Sequence, residues 1–164
     1  MEKEKLINIE FVLNGKKVKA EVPHYYTLLR VVREVFGLTG TKGSCQEGEC
    51  GVCTMLINDK PMTTCLMLAI QANGKRVDTV EGVTEKKLGK IISQSFIDSG
   101  SVQCGFCIPA MVVTAYSLIK SNSNMTRDEI GEGMSGVLCR CTGYQKIVDG
   151  VMLASKRYRE DGEA

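Results

Sequence analysis

The sequence predicts an α+β chain whose first half is strand-rich with one helix and whose second half is helical. Three observations predict it. Apolar residues alternate with period two from Ile7 to Leu13, the period lengthens to helical spacing after about residue 84, and the eight cysteines divide four and four between the halves.

Each element has its own signal. Ile7, Ile9, Phe11 and Leu13 alternate with Asn8, Glu10 and Val12, and Asn14-Gly15 follows with the positive φ angles of a two-residue hairpin turn. Val18, Ala20 and Val22 continue the alternation on a return strand. Thr27 caps a helix with an apolar face of Leu28, Val31, Val32, Val35 and Phe36, stopped by Gly37. Val52 to Ile57 and Met62 to Leu68 read as strands around a turn at Asn58-Asp59, and Arg76 to Val80 as a last strand. Beyond these, Leu88, Ile91, Ile92 and Phe96 lie at helical spacing with Gly100 as a stop. Pro109 suits the first turn of a helix whose inner face is Val112, Ala115, Tyr116 and Ile119. Thr126 and Glu129 form a capping box, and Ile147, Val148, Val151 and Ser155 mark a final helix before the charged stretch from Lys156 to Glu163. Two domains are expected, 1–82 and 83–164.

Composition narrows the function. Twenty-one Lys+Arg against 19 Asp+Glu leave a net charge of +2, without the basic excess of a nucleic-acid binder. No apolar run approaches the ~18 residues of a membrane span. Met1 to Lys5 is charged and lacks the apolar segment of a secretory signal, so a cytoplasmic location is expected. In that reducing setting cysteines serve metals or catalysis more often than disulfides. The one histidine rules out a site built from several imidazoles, and His24, beside Tyr25 and Tyr26, reads as a surface or packing residue.

The first quartet is Cys45, Cys50, Cys53 and Cys65, spaced C-x4-C-x2-C-x11-C. Its opening matches the plant-type [2Fe–2S] signature. Three thiolates must converge on one anionic cluster from a single loop curled with its amides inward, and Gly43, Gly48 and Gly51 permit that curl. The second quartet is Cys104, Cys107, Cys139 and Cys141, spaced C-x2-C-x31-C-x1-C. Cys107 precedes the Pro109 helix and Cys141 the last helix, so two positive helix ends would face one centre. Four-cysteine zinc sites are the main rival, strongest for the second quartet, because C-x2-C pairs also mark zinc. A thioredoxin-like pair at Cys104 and Cys107 leaves Cys139 and Cys141 unexplained.

Three stretches, GTKGSCQEGECGVC (40–53), QCGFC (103–107) and SGVLCRCTGY (135–144), resemble the small iron–sulfur subunit of the molybdenum hydroxylases, the relatives of xanthine dehydrogenase, aldehyde oxidoreductase and carbon monoxide dehydrogenase. The resemblance runs from about Leu6 to about Tyr158. It implies a β-grasp ferredoxin-like domain followed by a four-helix bundle, with one [2Fe–2S] cluster in each. It also implies a molybdopterin-binding large subunit, where substrate is hydroxylated with oxygen from water, and an FAD-binding medium subunit. Electrons would pass from the pterin to the bundle cluster, then to the Cys45 cluster, then to FAD and an acceptor such as NAD. Gln103 would hydrogen-bond the pterin, and Cys141 would both ligate iron and approach the pterin amino group. The implied function is electron transfer, with no catalysis by this chain alone, inside a complex acting on a purine such as xanthine, another N-heteroaromatic or an aldehyde. A free-standing two-cluster ferredoxin and a structural zinc module are the alternatives. Ser44, Gln46, Ile108, Ala110 and Val137 depart from the residues usual in the family.

Overall fold

The structure, a computed structural model, describes residues 5–162. The charged residues 1–4 and Glu163 lie outside the described residues. Strands β1 (Leu6–Leu13) and β2 (Lys16–Pro23) form the expected hairpin, with Leu13 opposite Lys16 and Asn14 and Gly15 at φ 49° and 82° between them. Ile9, Phe11 and Leu13 are buried, as the period-two pattern requires.

Helix α1 (Leu28–Arg30) is capped by the Thr27 hydroxyl, which accepts from the Arg30 amide, and runs into a π-helical turn at Val31–Val35. There the Phe36 amide donates to the Val31 carbonyl at 3.2 Å, a bond spanning five residues. The wider turn rotates the later side chains relative to an α-helix. Leu28, Leu29, Val31 and Val32 are buried, whereas Val35, expected on the inner face, is exposed.

Strands β3 (Thr54–Ile57) and β4 (Lys60–Thr63) flank a tight turn in which Asn58 and Asp59 have φ 49° and 68°. The second of these strands starts earlier and stops sooner than the expected Met62–Leu68 run, because the chain turns at Cys65 and closes a 3-10 turn at Ala69–Ala72. Strand β5 (Arg76–Asp78) ends before Val80, where helix α2 (Val80–Glu85) begins. The Thr79 amide donates to Asn14 Oδ1 at 2.8 Å, so the first hairpin turn is tied to the N-cap residue of a helix 65 residues away. The strands form one sheet in the order β2-β1-β5-β3-β4, with β1 and β5 parallel and the other pairs antiparallel.

Four further helices follow: α3 (Lys87–Asp98), α4 (Ile108–Ser121), α5 (Arg127–Met134) and α6 (Gln145–Gly162). Pro109 lies in the first turn of α4, and Val112, Ala115, Tyr116 and Ile119 are buried as expected. Thr126 and Glu129 form the capping box of α5. Ile147, Val148, Val151 and Ser155 are all buried on α6. The position expected as the domain boundary, Gly82, falls inside α2. Among the described residues no helix is long and apolar enough to cross a membrane.

Two apolar cores result, and β3 borders both. Met55 and Ile57 pack with Ile9, Phe11 and Leu28, while Val52 and Leu56 pack with Ile92, Phe96, Met111 and Val113 of the helices. A strand sends alternate side chains to opposite faces, so one short segment serves the sheet core and the helical core together. The turn after β3 also meets α4, where Ser117 Oγ donates to the Asp59 carbonyl at 3.3 Å and Lys120 Nζ to Asp59 Oδ1 at 3.2 Å.

Candidate metal centres

The eight cysteines lie in two regions of the structure, one for each quartet read from their spacing. None is in a disulfide. In the first quartet, Cys45, Cys50 and Cys53 come from the loop between α1 and β3, and Cys65 from the turn after β4. The loop curls through Gln46, Gly48 and Gly51, at φ 60°, 81° and 69°. Gly43 matters for a different reason, since a Cβ there would lie 2.6 Å from Gln46 Nε2. Gln46 holds a left-handed conformation that costs an L-residue about 1–2 kcal/mol, which is why glycine is the easier choice at its position.

Amides point at sulfur, as an anionic centre needs. The Glu47 and Thr64 amides donate to Cys45 Sγ and Cys53 Sγ, each at 3.4 Å. The Glu47 amide, then the amide and thiol of Cys50, bring Cys45 down to about 7. Burial, and then the neighbouring Cys53, push Cys65 up, while the Gly48 amide pulls it the other way. Cys50, Cys53 and Cys65 are buried and Cys45 is half-buried.

The second quartet spans two loops. Cys104 and Cys107 precede α4, and Cys107 is its N-cap residue. Cys139 and Cys141 lie between α5 and α6. Cys107 is buried and Cys139 half-buried, whereas Cys104 and Cys141 are exposed with their sulfurs 3.5 Å apart. Burial, and then Cys139, push Cys107 up to about 12. Burial works against ionisation of Cys139 too, but the Thr142 hydroxyl and amide outweigh it and lower that thiol. Contact with Cys104 raises Cys141.

Within each quartet the strongest thiol–thiol influences pair Cys45 with Cys50, Cys53 with Cys65 and Cys107 with Cys139, and the sulfurs of Cys104 and Cys141 lie 3.5 Å apart; weaker influences run from Cys45 to Cys65 and from Cys104 to Cys107. A [2Fe–2S] cluster has two irons, each taking two thiolates, and paired sulfurs within one quartet fit that demand.

The two quartets touch through backbone. The Leu138 amide, one residue before Cys139, donates to the Cys50 carbonyl at 2.9 Å. Beside it, a Cβ on Gly51 would lie 2.0 Å from the Gly136 carbonyl oxygen, so only glycine lets the two loops approach. A cavity of about 250 Å³ lies between the quartets, lined by Ser44, Cys50 and Val52 on one side and by Cys104, Cys107, Cys139 and Cys141 on the other. Val137 is buried in the helical core with Cys50 and Val52, where its bulk fills the joint.

Gln103 is exposed beside Cys104, within a rim that includes Val102, Phe106 and Leu138, which are 43–58% exposed. His24 is exposed, its ring edge-on to Tyr25, and takes no part in either quartet. Three supporting residues escaped the sequence reading. Thr64 donates its hydroxyl to the Cys53 carbonyl at 2.7 Å, Thr142 Oγ1 lies 3.1 Å from Cys139 Sγ, and the Tyr144 phenol accepts from the Cys139 amide at 2.9 Å. Thr142 and Tyr144 lie within the SGVLCRCTGY stretch and Thr64 beside Cys65, but nothing in the sequence assigned them these contacts.

Comparison with known proteins agrees with this architecture. Residues 11–79 match the 2Fe-2S iron-sulfur cluster binding domain, and residues 79–152 the [2Fe-2S] binding domain. The chain is 46% identical over 151 residues to the nicotinate dehydrogenase small FeS subunit of Eubacterium barkeri, covering 92% of this chain and 96% of that one. It is 39% identical to the xanthine dehydrogenase iron-sulfur-binding subunit of Escherichia coli O157:H7, covering 92% and 95%. The crystal structure of quinoline 2-oxidoreductase from Pseudomonas putida 86 superposes with a TM-score of 0.88 and 42% identity, covering 94% of this chain and 97% of that one. Paired thiols in two matched [2Fe–2S]-binding domains, on a chain that aligns nearly end to end with oxidoreductase subunits, lead to one assignment: the protein belongs to the small iron–sulfur subunits of the molybdenum hydroxylase family.

Proposed function

We propose that the chain relays electrons from a molybdopterin-binding large subunit, through two [2Fe–2S] clusters, to an FAD-binding medium subunit. Cys104, Cys107, Cys139 and Cys141 would hold the cluster nearer the pterin, and Cys45, Cys50, Cys53 and Cys65 the one nearer the flavin. Such clusters supply one-electron carriers whose potential the surrounding amides tune. The hydrogen bond from the Leu138 amide to the Cys50 carbonyl carries the reading, because it links a ligand of one quartet to the neighbour of a ligand of the other through backbone alone. The Glu47 and Thr64 amides offset negative charge at the first quartet, and Thr142 does so at the second. The two domains would meet at α2, near residue 82.

Gln103 and Cys141 would face the pterin. Their exposure, amid the apolar Val102, Phe106 and Leu138, supports a large subunit covering this rim. A free-standing ferredoxin would leave it bare. Relatives named for nicotinate, xanthine and quinoline favour an N-heteroaromatic substrate for the complex, a purine such as xanthine among them. A cytoplasmic location belongs to this reading, since cysteines that serve metal rather than disulfides suit a reducing setting.

Anaerobic purification followed by metal and sulfide analysis tests the reading. We expect about four irons and four acid-labile sulfides per chain. Zinc without sulfide would overturn it.

A further inference from the structure

We propose that Cys104 and Cys141 form an oxidation-sensitive pair that closes into a disulfide when the second quartet is empty, and that this disulfide blocks loading of that quartet alone. The consequence for loading rests on the two-cluster reading; the cross-link itself does not.

Three observations support it. The two sulfurs are 3.5 Å apart, and closure to the ~2.05 Å of a disulfide needs a shift of about 1.5 Å. Both residues lie in irregular loop, outside helix and strand, so the backbone can supply that shift. Both are exposed, and they are the only exposed cysteines of the eight. Elsewhere each pair keeps at least one buried thiol: Cys50 beside Cys45, Cys53 and Cys65 together, and Cys107 beside Cys139. Cys104 also has Cys107 three residues away, but that thiol is buried.

The chemistry balances with a hydroperoxide as oxidant. One thiol sulfur attacks the peroxide oxygen, the O–O bond breaks, and a sulfenic acid and one water form from hydrogen peroxide. The second thiol displaces the hydroxyl as a second water while the S–S bond forms. The sulfurs together lose two electrons, and the peroxide gains them. A partner seated on the Val102–Phe106–Leu138 rim would shield the pair, so the sensitive stage is the unassembled chain.

The test uses the full-length chain, made metal-free under reducing conditions and treated with one equivalent of hydrogen peroxide. Alkylation and peptide mass spectrometry should find a Cys104–Cys141 cross-link, with the other six cysteines still alkylated. Cys141→Ser should abolish the cross-link. On anaerobic reconstitution with iron and sulfide, the oxidised chain should take up about two irons against about four in its reduced control, and a thiol reductant should restore the difference. A first cross-link between Cys104 and Cys107 or within the first quartet, or about four irons in the oxidised chain, overturns the proposal. A reduced control that takes up no iron overturns the two-cluster reading instead, while the cross-link map still decides whether the pair closes.

Discussion

The two quartets achieve the same count of thiolates by opposite means. The first draws three ligands from a nine-residue span and buries three of its four sulfurs, with amides aimed at Cys45 and Cys53. The second joins two loops with 31 residues between Cys107 and Cys139, and leaves two sulfurs at the surface. A locally coded loop can form its site once the loop curls, whereas the second site exists only after α4 and α6 have brought their preceding loops together. The difference teaches that a quartet drawn mostly from one loop is buried by its own domain, whereas one shared between two loops keeps two thiols at the surface, where the proposed large subunit would cover them.

Cys50→Ser should have the largest effect. It should remove the first cluster, about half the iron, and leave the spectroscopic signal of the second intact. Loss of both signals in a chain still folded by circular dichroism would break the comparison, because the sites would not be independent. Next is Gly51→Ala, which forces a methyl group into the Gly136 carbonyl and a side chain into a left-handed φ. The cost should be roughly 3 kcal/mol. Calorimetry should show this as a fall in Tm of about 6–12 °C for a chain of this size. Gln103→Ala should weaken binding to the large subunit roughly five-fold, the worth of about one hydrogen bond, with iron content unchanged. Titration of the chain against the purified large subunit measures it, and unchanged affinity with unchanged turnover would count against the pterin contact.

Asp98→Asn should have the smallest effect. Hydrogen bonding from Gln94, and then from Arg157 on α6, holds the Asp98 carboxyl below its ordinary range. A depressed carboxyl contributes stability above its unfolded pKa of about 3.9 and loses it as pH falls through the folded value. The variant should therefore melt slightly below the wild type at pH 7, and the gap should close as pH falls below the unfolded pKa and through the lower folded one. A constant gap across that range would show that the α3–α6 ion pair is not its source.

Much of this was legible in the residues. Asn14-Gly15 marked its hairpin, Thr126 and Glu129 their capping box, and C-x4-C-x2-C its loop, because each signal is short and carries its geometry within a few residues. What escaped depended on distant partners or on small departures from regular geometry. The π turn at Val31–Val35 moved Val35 outward through one extra residue in a turn, which an α-periodic reading does not foresee. Met62–Leu68 looked extended because Cys65, Leu66 and Leu68 suit a strand, yet the chain there bends to deliver Cys65. Helix α2 is only six residues long, too short to show a period, and its N-cap residue Thr79 is held by Asn14, 65 residues away. The meeting of Leu138 with Cys50 joins positions 88 apart, and no local pattern encodes it.

Strand β3 has a consequence for any attempt to dissect the molecule. Because Leu56 on the strand and Val52 just before it belong to the helical interior, and Met55 and Ile57 to the sheet interior, a cut at the junction strips greasy side chains from whichever fragment keeps the strand and opens a hole in the other. Fragments cut there would clump or hollow out. The two modules would therefore have to be handled as one piece.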